Sequence, residues 1–199
     1  SDLPWLDVTL QLLGIGFALV PVVLAIYLLA RDADAPPALE RIGLRGTNPL
    51  RDTLMGFVLA AAIGIPGLGV YVLGREFGLT AELVLAPETL YAWSLTLLVF
   101  AAIKNAILEE VIVVGYLMTR LRDGGWSMWA IILTSALLRG AYHLYQGFGQ
   151  ALGNVFMGVV FGWWYYRTGR LWPLVIAHAL IDVVAFGAYA LFPSLVAKL

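Results

Sequence analysis

Seven ionisable side chains fall inside largely apolar stretches of this sequence: Lys104, Glu109, Glu110, Arg139, His143, His178 and Asp182. Carboxylates, imidazoles and an aspartate are the groups that take a proton from water, ligate a metal or donate to an oxyanion. The chain has only two histidines, and both are in this set. Glu109 and Glu110 sit in a run that is mostly apolar from about Ala92 to Met118. A charge at hydrocarbon depth costs at least about 2.5 kcal/mol, so two neighbouring glutamates there point to a use. Arg139 and His143 are four apart, as are His178 and Asp182, so each pair shares a helix face. Glu109 and Glu110 diverge by about 100° around a helix. One should face a reactive site and the other a structural partner. Asn105 is four before Glu109 and shares its face, which selects Glu109 for the site.

Three chemistries fit. Glu109 can act as a general base that activates water. Alternatively, His143 and His178 can ligate a divalent ion such as zinc, with Glu109 or Asp182 as carboxylate ligand or base. Or the two histidines and Asp182 can polarise a carbonyl as an oxyanion site. Each amounts to hydrolysis at membrane depth, and the cofactor stays open between none and a divalent metal.

The elements that must position these groups are membrane helices. Of 199 residues, 61% are hydrophobic and 13% charged, with a mean hydropathy of +0.88. A soluble domain carries roughly 25% charged residues. The net charge of −1 and the lack of a basic arm exclude nucleic acid as a partner. No cysteine is present, so disulfides, thiol nucleophiles and Cys-based metal sites are excluded. The N-terminus shows neither a positive n-region nor a small-residue cleavage site, so no removable signal peptide is expected.

Six apolar spans are predicted: about Trp5–Ala30, Thr53–Leu73, Leu90–Leu117, Ser127–Tyr145, Ala151–Tyr166, and a sixth from Pro173 to near Phe192-Pro193. A Gly/Pro-rich stretch, Gly64-Ile-Pro-Gly-Leu-Gly69, should kink the second. Polar connections are expected at Arg31–Asp52 and Arg75–Glu88, with tight turns at Arg120–Gly125 and Thr168–Arg170. Gly158 and Gly162 have the small-xxx-small spacing that lets helices approach. Alternate loops then collect Arg31, Arg41, Arg45, Arg51, Arg120, Arg122, Arg167 and Arg170 on one side, against Arg75 and Lys198 on the other. That bias places the Arg-rich loops in the cytoplasm of a multi-pass cell-membrane protein. Trp5, Trp93, Trp126, Trp129 and Trp172 fall near span ends, as an interfacial belt requires.

Depth pairs the charges. At 1.5 Å per residue, Glu110, Arg139 and Asp182 all lie about 15 Å from the Arg-rich surface. An Arg139–Glu110 ion pair is therefore expected. His143 comes out about 6 Å outward and His178 about 6 Å inward of that level, a gap that tilt or helix breaks must close. Lys104 turns away from both glutamates. Gln146, Gln150 and Asn154 are four apart and form a candidate polar cleft. The aromatic set Tyr142, Tyr145, Trp163, Trp164, Tyr165 and Tyr166 reads as packing and interface belt.

Glu109-Glu110, a histidine ending the next helix (His143), and His178-xxx-Asp182 resemble the CAAX-processing and bacteriocin-processing intramembrane protease family. Its motifs run Glu-Glu-xxx-Arg, Phe-xxx-His and His-xxx-Asn/Asp on consecutive helices. The likeness spans about 97–190, and Gly115-Tyr-Leu117 and Leu171-Trp-Pro-Leu-Val-Ile-Ala-His178 also look like that family. The resemblance implies that Glu109 activates water together with His143, and that His178 and Asp182 stand at the oxyanion side. Two positions depart from the pattern. The family's Arg is Val114 here, and its Phe is Arg139. One loss and one gain at matching depth suggest that Arg139 supplies, from the neighbouring helix, the charge that position 114 lacks.

The reading is an all-α, polytopic helical bundle of about six transmembrane helices, forming one membrane domain over 1–199. Its expected function is an intramembrane endopeptidase acting on a membrane-associated peptide or protein, prenylated or plain. Catalytic candidates are Glu109, His143, His178 and Asp182, with Glu110 and Arg139 in support; the first four are also the metal-ligand candidates. The rival readings are a catalytically inactive member acting as an immunity or assembly factor, which Val114 keeps alive, and a proton-coupled transporter. The short chain without an obvious repeat counts against the latter.

Overall fold

The computed structural model describes residues 3–45, 48–78 and 93–191, and the regular elements among them are all helical. Helices α1 (Pro4–Ala18) and α2 (Val20–Ala30) form one rod that jogs at Leu19. Pro21 falls in the first turn of α2, where its missing N–H would have had no intrahelical partner. A polar linker carrying the short α3 (Ala38–Arg41) leads to α4 (Pro49–Glu76), which runs on through Pro66. The third rod is continuous: α5 (Ser94–Glu109), a π-helical segment (Glu110–Tyr116) and α6 (Leu117–Asp123). Helix α7 (Met128–Tyr142) starts at Ser127, whose Oγ accepts the Ala130 N–H at 3.4 Å. A single 3-10 turn (Leu144–Gln146) joins it to α8 (Phe148–Thr168). Gly169 ends α8 in the left-handed region at φ 63°, and α9 (Trp172–Leu191) follows with Pro173 in its first turn.

Most of these bounds track the apolar runs. The turn expected at Arg120–Gly125 is shifted along the chain, because α6 continues to Asp123 and the connection to α7 runs from Gly124 to Ser127. The expected fourth span stops at Tyr142, and the fifth begins earlier, at Phe148. Most of the expected Arg75–Glu88 connection, the first residues of the third span and the end of the sixth lie outside the described residues.

Two rods, Pro4–Ala30 and Pro49–Gly74, are long and apolar enough to cross a membrane, with mean hydropathies of 2.6 and 2.0. Met128–Tyr142 and Trp172–Ala188 are shorter apolar helices. The exterior is apolar on a scale that suits lipid: Phe17 and Ile65 are 71% and 73% exposed, with Leu13, Val23, Leu54, Phe57 and Leu137 also outward. Trp5, Trp93, Trp126, Trp129 and Trp172 are all exposed.

The first rod packs on α5 and the π-helical segment, α9 lies against α4 and α5, and α7 against α8. Glycine sets the last contact. A Cβ on Gly158 would stand 2.7 Å from Ala136 Cα, and one on Gly140 would stand 2.3 Å from Val155 Cγ2. At the Arg-rich end, Asp32 accepts from Arg41 at 2.7 Å and from Arg120 at 2.5 Å, and Arg41 also reaches Asp123 at 2.5 Å. Hydrogen bonds from Arg41 and Arg120 hold the Asp32 carboxyl below its ordinary value. These contacts clamp the linker onto α6. Leu171 N–H and Trp172 Nε1–H, donating to the carbonyls of Gly43 and Leu44, tie its other end to α9.

Candidate active site

The π-helical segment begins directly after Glu109. Such widened turns are rare and recur at functional sites. Ser135 on α7 donates to the Val113 carbonyl at 2.9 Å and so pins the segment from outside. Gly115 lies where a Cβ would meet Leu171 Cδ2 at 3.1 Å and Ile42 Cβ at 3.5 Å, so the linker and the start of α9 both close on it.

Arg139 on α7 is the largest fully buried side chain and reaches both glutamates. Its Nη2 donates to Glu110 Oε1 at 2.6 Å, and its Nη1 donates to Glu109 Oε2 at 3.5 Å. The guanidinium lies 5.8 Å from the Phe161 ring of α8. The ion pair expected from helix depth is therefore present, and it extends to Glu109. Two carboxylates on diverging faces meet one planar fork, a geometry that arginine provides and lysine does not.

The two glutamates are unequal. Glu110 is wholly buried, and its Oε1 also accepts from His178 Nδ1 at 2.7 Å. Glu109 has an 18% accessible side chain, and its Oε2 accepts from Tyr142 Oη at 2.7 Å. His143 uses Nδ1 against the Arg139 carbonyl at 2.9 Å. A carbonyl only accepts, so Nδ1 carries the proton, and Nε2 keeps its lone pair in the neutral ring. The His143 ring lies 4.7 Å from that of Tyr142. His178 Nε2 stands 3.7 Å from Asp182 Oδ2, one turn on along α9. Asn105 reaches Asp182 from α5 and accepts from Lys104 Nζ.

Together these contacts connect α5, the π-helical segment, α7 and α9 through Glu109, Glu110, Arg139, Tyr142, His178 and Asp182. They bring a partly accessible carboxylate, a buried charge pair and the His178 imidazole into one polar centre, with the His143 ring beside Tyr142. Its sequence neighbourhood has a family match: the model described as type II CAAX prenyl endopeptidase, Rce1-like, covers residues 91–184. That segment belongs to the Rce1-like family. Searches of curated proteins and of solved structures return no match. The Rce1-like segment contains every member of the polar centre, together with Val114, which is fully buried in apolar packing.

Among the described residues, no group of three His, Asp or Glu side chains is arranged to hold an ion. His178 Nδ1 faces Glu110 and His143 Nδ1 is engaged by backbone, which leaves Nε2 of each ring as the nitrogen that a metal or a water would meet. Other expectations change in detail. Lys104 has a partner, the Asn105 side chain, so Asn105 bridges Lys104 and Asp182. Gln150 and Asn154 share a face of α8, where Asn154 donates back to the Gln150 carbonyl, but Gln146 lies outside that helix, in the 3-10 turn, and donates to Tyr145. No hydrogen bond joins His143 to Glu109 among the described residues. Tyr142 is the residue that sequence reasoning grouped with packing. Its position three after Arg139, on the same face, was the available signal.

Proposed function

We propose that the chain is an intramembrane endopeptidase in which Glu109 activates water against a peptide bond of a membrane-associated substrate. The observation that carries this reading is the inequality of the paired glutamates. Glu110 is sealed against Arg139 and His178, and Glu109 is the carboxylate that water can reach. In this reading Glu109 takes a proton from water, and the hydroxide adds to the carbonyl carbon. The imidazolium form of His178 donates through both nitrogens, one to Glu110 and the other to the oxyanion that forms. His143 Nε2 shares the water with Glu109. The proton then passes to the departing amine as the C–N bond breaks. Asp182 orients His178, and Arg139 and Glu110 hold the frame. The bundle crosses the bilayer about six times, with its Arg-rich end cytoplasmic and its catalytic core over about 97–190. A prenylated chain end is the first substrate class to try, given the family description.

The test uses purified protein in bilayers with a library of prenylated and plain peptides, and new termini are read by mass spectrometry. Wild type is expected to cleave, and Glu109→Gln to fold normally and lose at least about 100-fold in rate, the range for a general base. A parallel arm with a chelator reads whether cleavage requires a metal. Full activity in Glu109→Gln would refute the assignment. Proton-dependent flux abolished by the same change would favour a transporter instead.

A further inference from the structure

A cavity of about 340 Å³ opens at the Arg-rich end, far from Glu109, between the start of α4, the end of α8 and the start of α9. Arg51, Asp52, Trp164, Arg167, Thr168 and Arg170 line it. Arg170 commits its charge to Asp52, with Nε donating to Oδ1 at 2.7 Å and Nη2 at 2.6 Å from the same oxygen. That leaves Asp52 Oδ2 without a partner although the residue is 2% exposed. The indole Nε1 of Trp164 is likewise buried and without an acceptor. Among the described residues Arg51 and Arg167 are exposed and form no ion pair, with the Arg167 guanidinium 5.9 Å from the Trp163 ring, so the cavity has a net charge of +2, and Asp52 Oδ2, Trp164 Nε1 and Arg170 Nη2 are buried without a hydrogen-bond partner. The first turns of α4 and α9 add the positive ends of two helix dipoles. Leu50 and Leu54, exposed at 71% and 59%, adjoin lining residues of α4 in sequence, and the exposed Trp163 ring lies 5.9 Å from the Arg167 guanidinium.

We propose that this cavity binds the phosphate-bearing headgroup of an anionic phospholipid. The phosphate pairs with Arg51 and Arg167 and accepts from Trp164 Nε1. A headgroup hydroxyl donates to Asp52 Oδ2. The acyl chains lie along Leu50, Leu54 and Trp163, which is why the phosphate source is a lipid and not a soluble ester. This site is separate from the hydrolytic centre and does not depend on it.

The experiment titrates detergent-purified protein with short-chain phosphatidylglycerol, phosphatidylcholine or inorganic phosphate, and counts bound ligand by native mass spectrometry. Phosphatidylglycerol is expected to be retained at least tenfold better than phosphatidylcholine. Arg51→Gln and Arg167→Gln should each weaken it about fivefold, and the double variant about 25-fold, from the usual contribution of one arginine beside an anionic lipid. Both side chains are exposed, so the melting temperature should not move, and the single variants carry the test if the double variant fails to fold. Undiminished phosphatidylglycerol binding in the variants, or equal retention of phosphatidylcholine, overturns the site. Displacement of the lipid by inorganic phosphate at comparable concentration overturns the lipid source and reassigns the cavity to a soluble phosphate.

Discussion

Arg139→Ala, Glu110→Gln and the double variant form a cycle that tests how the polar centre is held. Arg139 is wholly buried, and its shortest contact is 2.6 Å to a wholly buried carboxylate. Removing Arg139 leaves Glu110 Oε1 with His178 alone, and Oε2 is already without a partner. A buried charge left in that state costs about 3–5 kcal/mol. Glu110→Gln is milder, because Arg139 still has Glu109 at 3.5 Å. Neutralising both ends removes the orphaned charge as well as the pair, so the double variant should recover about 2–3 kcal/mol relative to the sum of the singles, the upper part of the range for residues in contact. Reversible unfolding of the four proteins in mixed detergent and SDS micelles, followed by circular dichroism, gives the coupling directly. Additivity within about 0.5 kcal/mol would mean that the two side chains stabilise the bundle independently, and would refute the view that Arg139 serves as the counter-ion missing at Val114.

Tyr142→Phe removes the 2.7 Å hydrogen bond to Glu109; kcat should fall about tenfold, equal to about 1.4 kcal/mol, with KM within about twofold, as steady-state peptide cleavage would show. Acid should loosen the linker. The Asp32 carboxyl titrates below its ordinary 3.8 in the folded chain, so its stabilisation is complete above that value and disappears as pH falls through the lower, folded one. Asp32→Asn should flatten this acid limb in melting curves taken from pH 6 to 2. Gly158→Val puts side-chain atoms where a Cβ alone would stand 2.7 Å from Ala136 Cα; a loss of about 1–3 kcal/mol is expected. Gly162→Ala should cost less, since its Cβ would come no closer than 3.3 Å, to Ile132 Cγ2, with the Ile132 Cα at 3.7 Å.

The Arg139–Glu110 contact was legible because two things about it are local. Each residue's depth follows from counting along its own helix, and an unpaired charge at that depth is too costly to leave alone. The helical character of the apolar runs was legible for a similar reason, since bilayer length and backbone satisfaction leave few choices. The π-helical segment was not. Val111, Ile112, Val113 and Val114 have no signature that separates a wide turn from an α-turn. What holds this stretch includes Ser135, 22 residues away on another helix. Tyr142 was hidden by its surroundings, since it sits among aromatic residues that otherwise pack or face outward. The expected alignment of Gln146 with Gln150 and Asn154 was lost because the 3-10 turn takes Gln146 out of the α8 register, while Gln150 and Asn154 keep their spacing within one helix.

Arg139's origin has a consequence for how the centre is built. An arginine four residues after Glu110 would arrive on the same helix, positioned by that helix alone. Here the guanidinium comes from α7, and its reach to both glutamates depends on how closely α7 lies on α8. That distance is set by Gly140 against Val155 and by Gly158 against Ala136, with Phe161 of α8 closing over the guanidinium. The carboxylate that water reaches and the one that it does not are thus distinguished by an interhelical seat, and not by the 100° between neighbours on a helical wheel. A change in α7–α8 packing would alter the exposure of Glu109 and the burial of Glu110 together. The same dependence runs through the backbone, because His143 is anchored on the carbonyl of Arg139 itself. One residue therefore fixes the counter-charge through its side chain and the histidine's tautomer through its main chain. In this chain the buried arginine and the catalytic candidates are tied into one contact network.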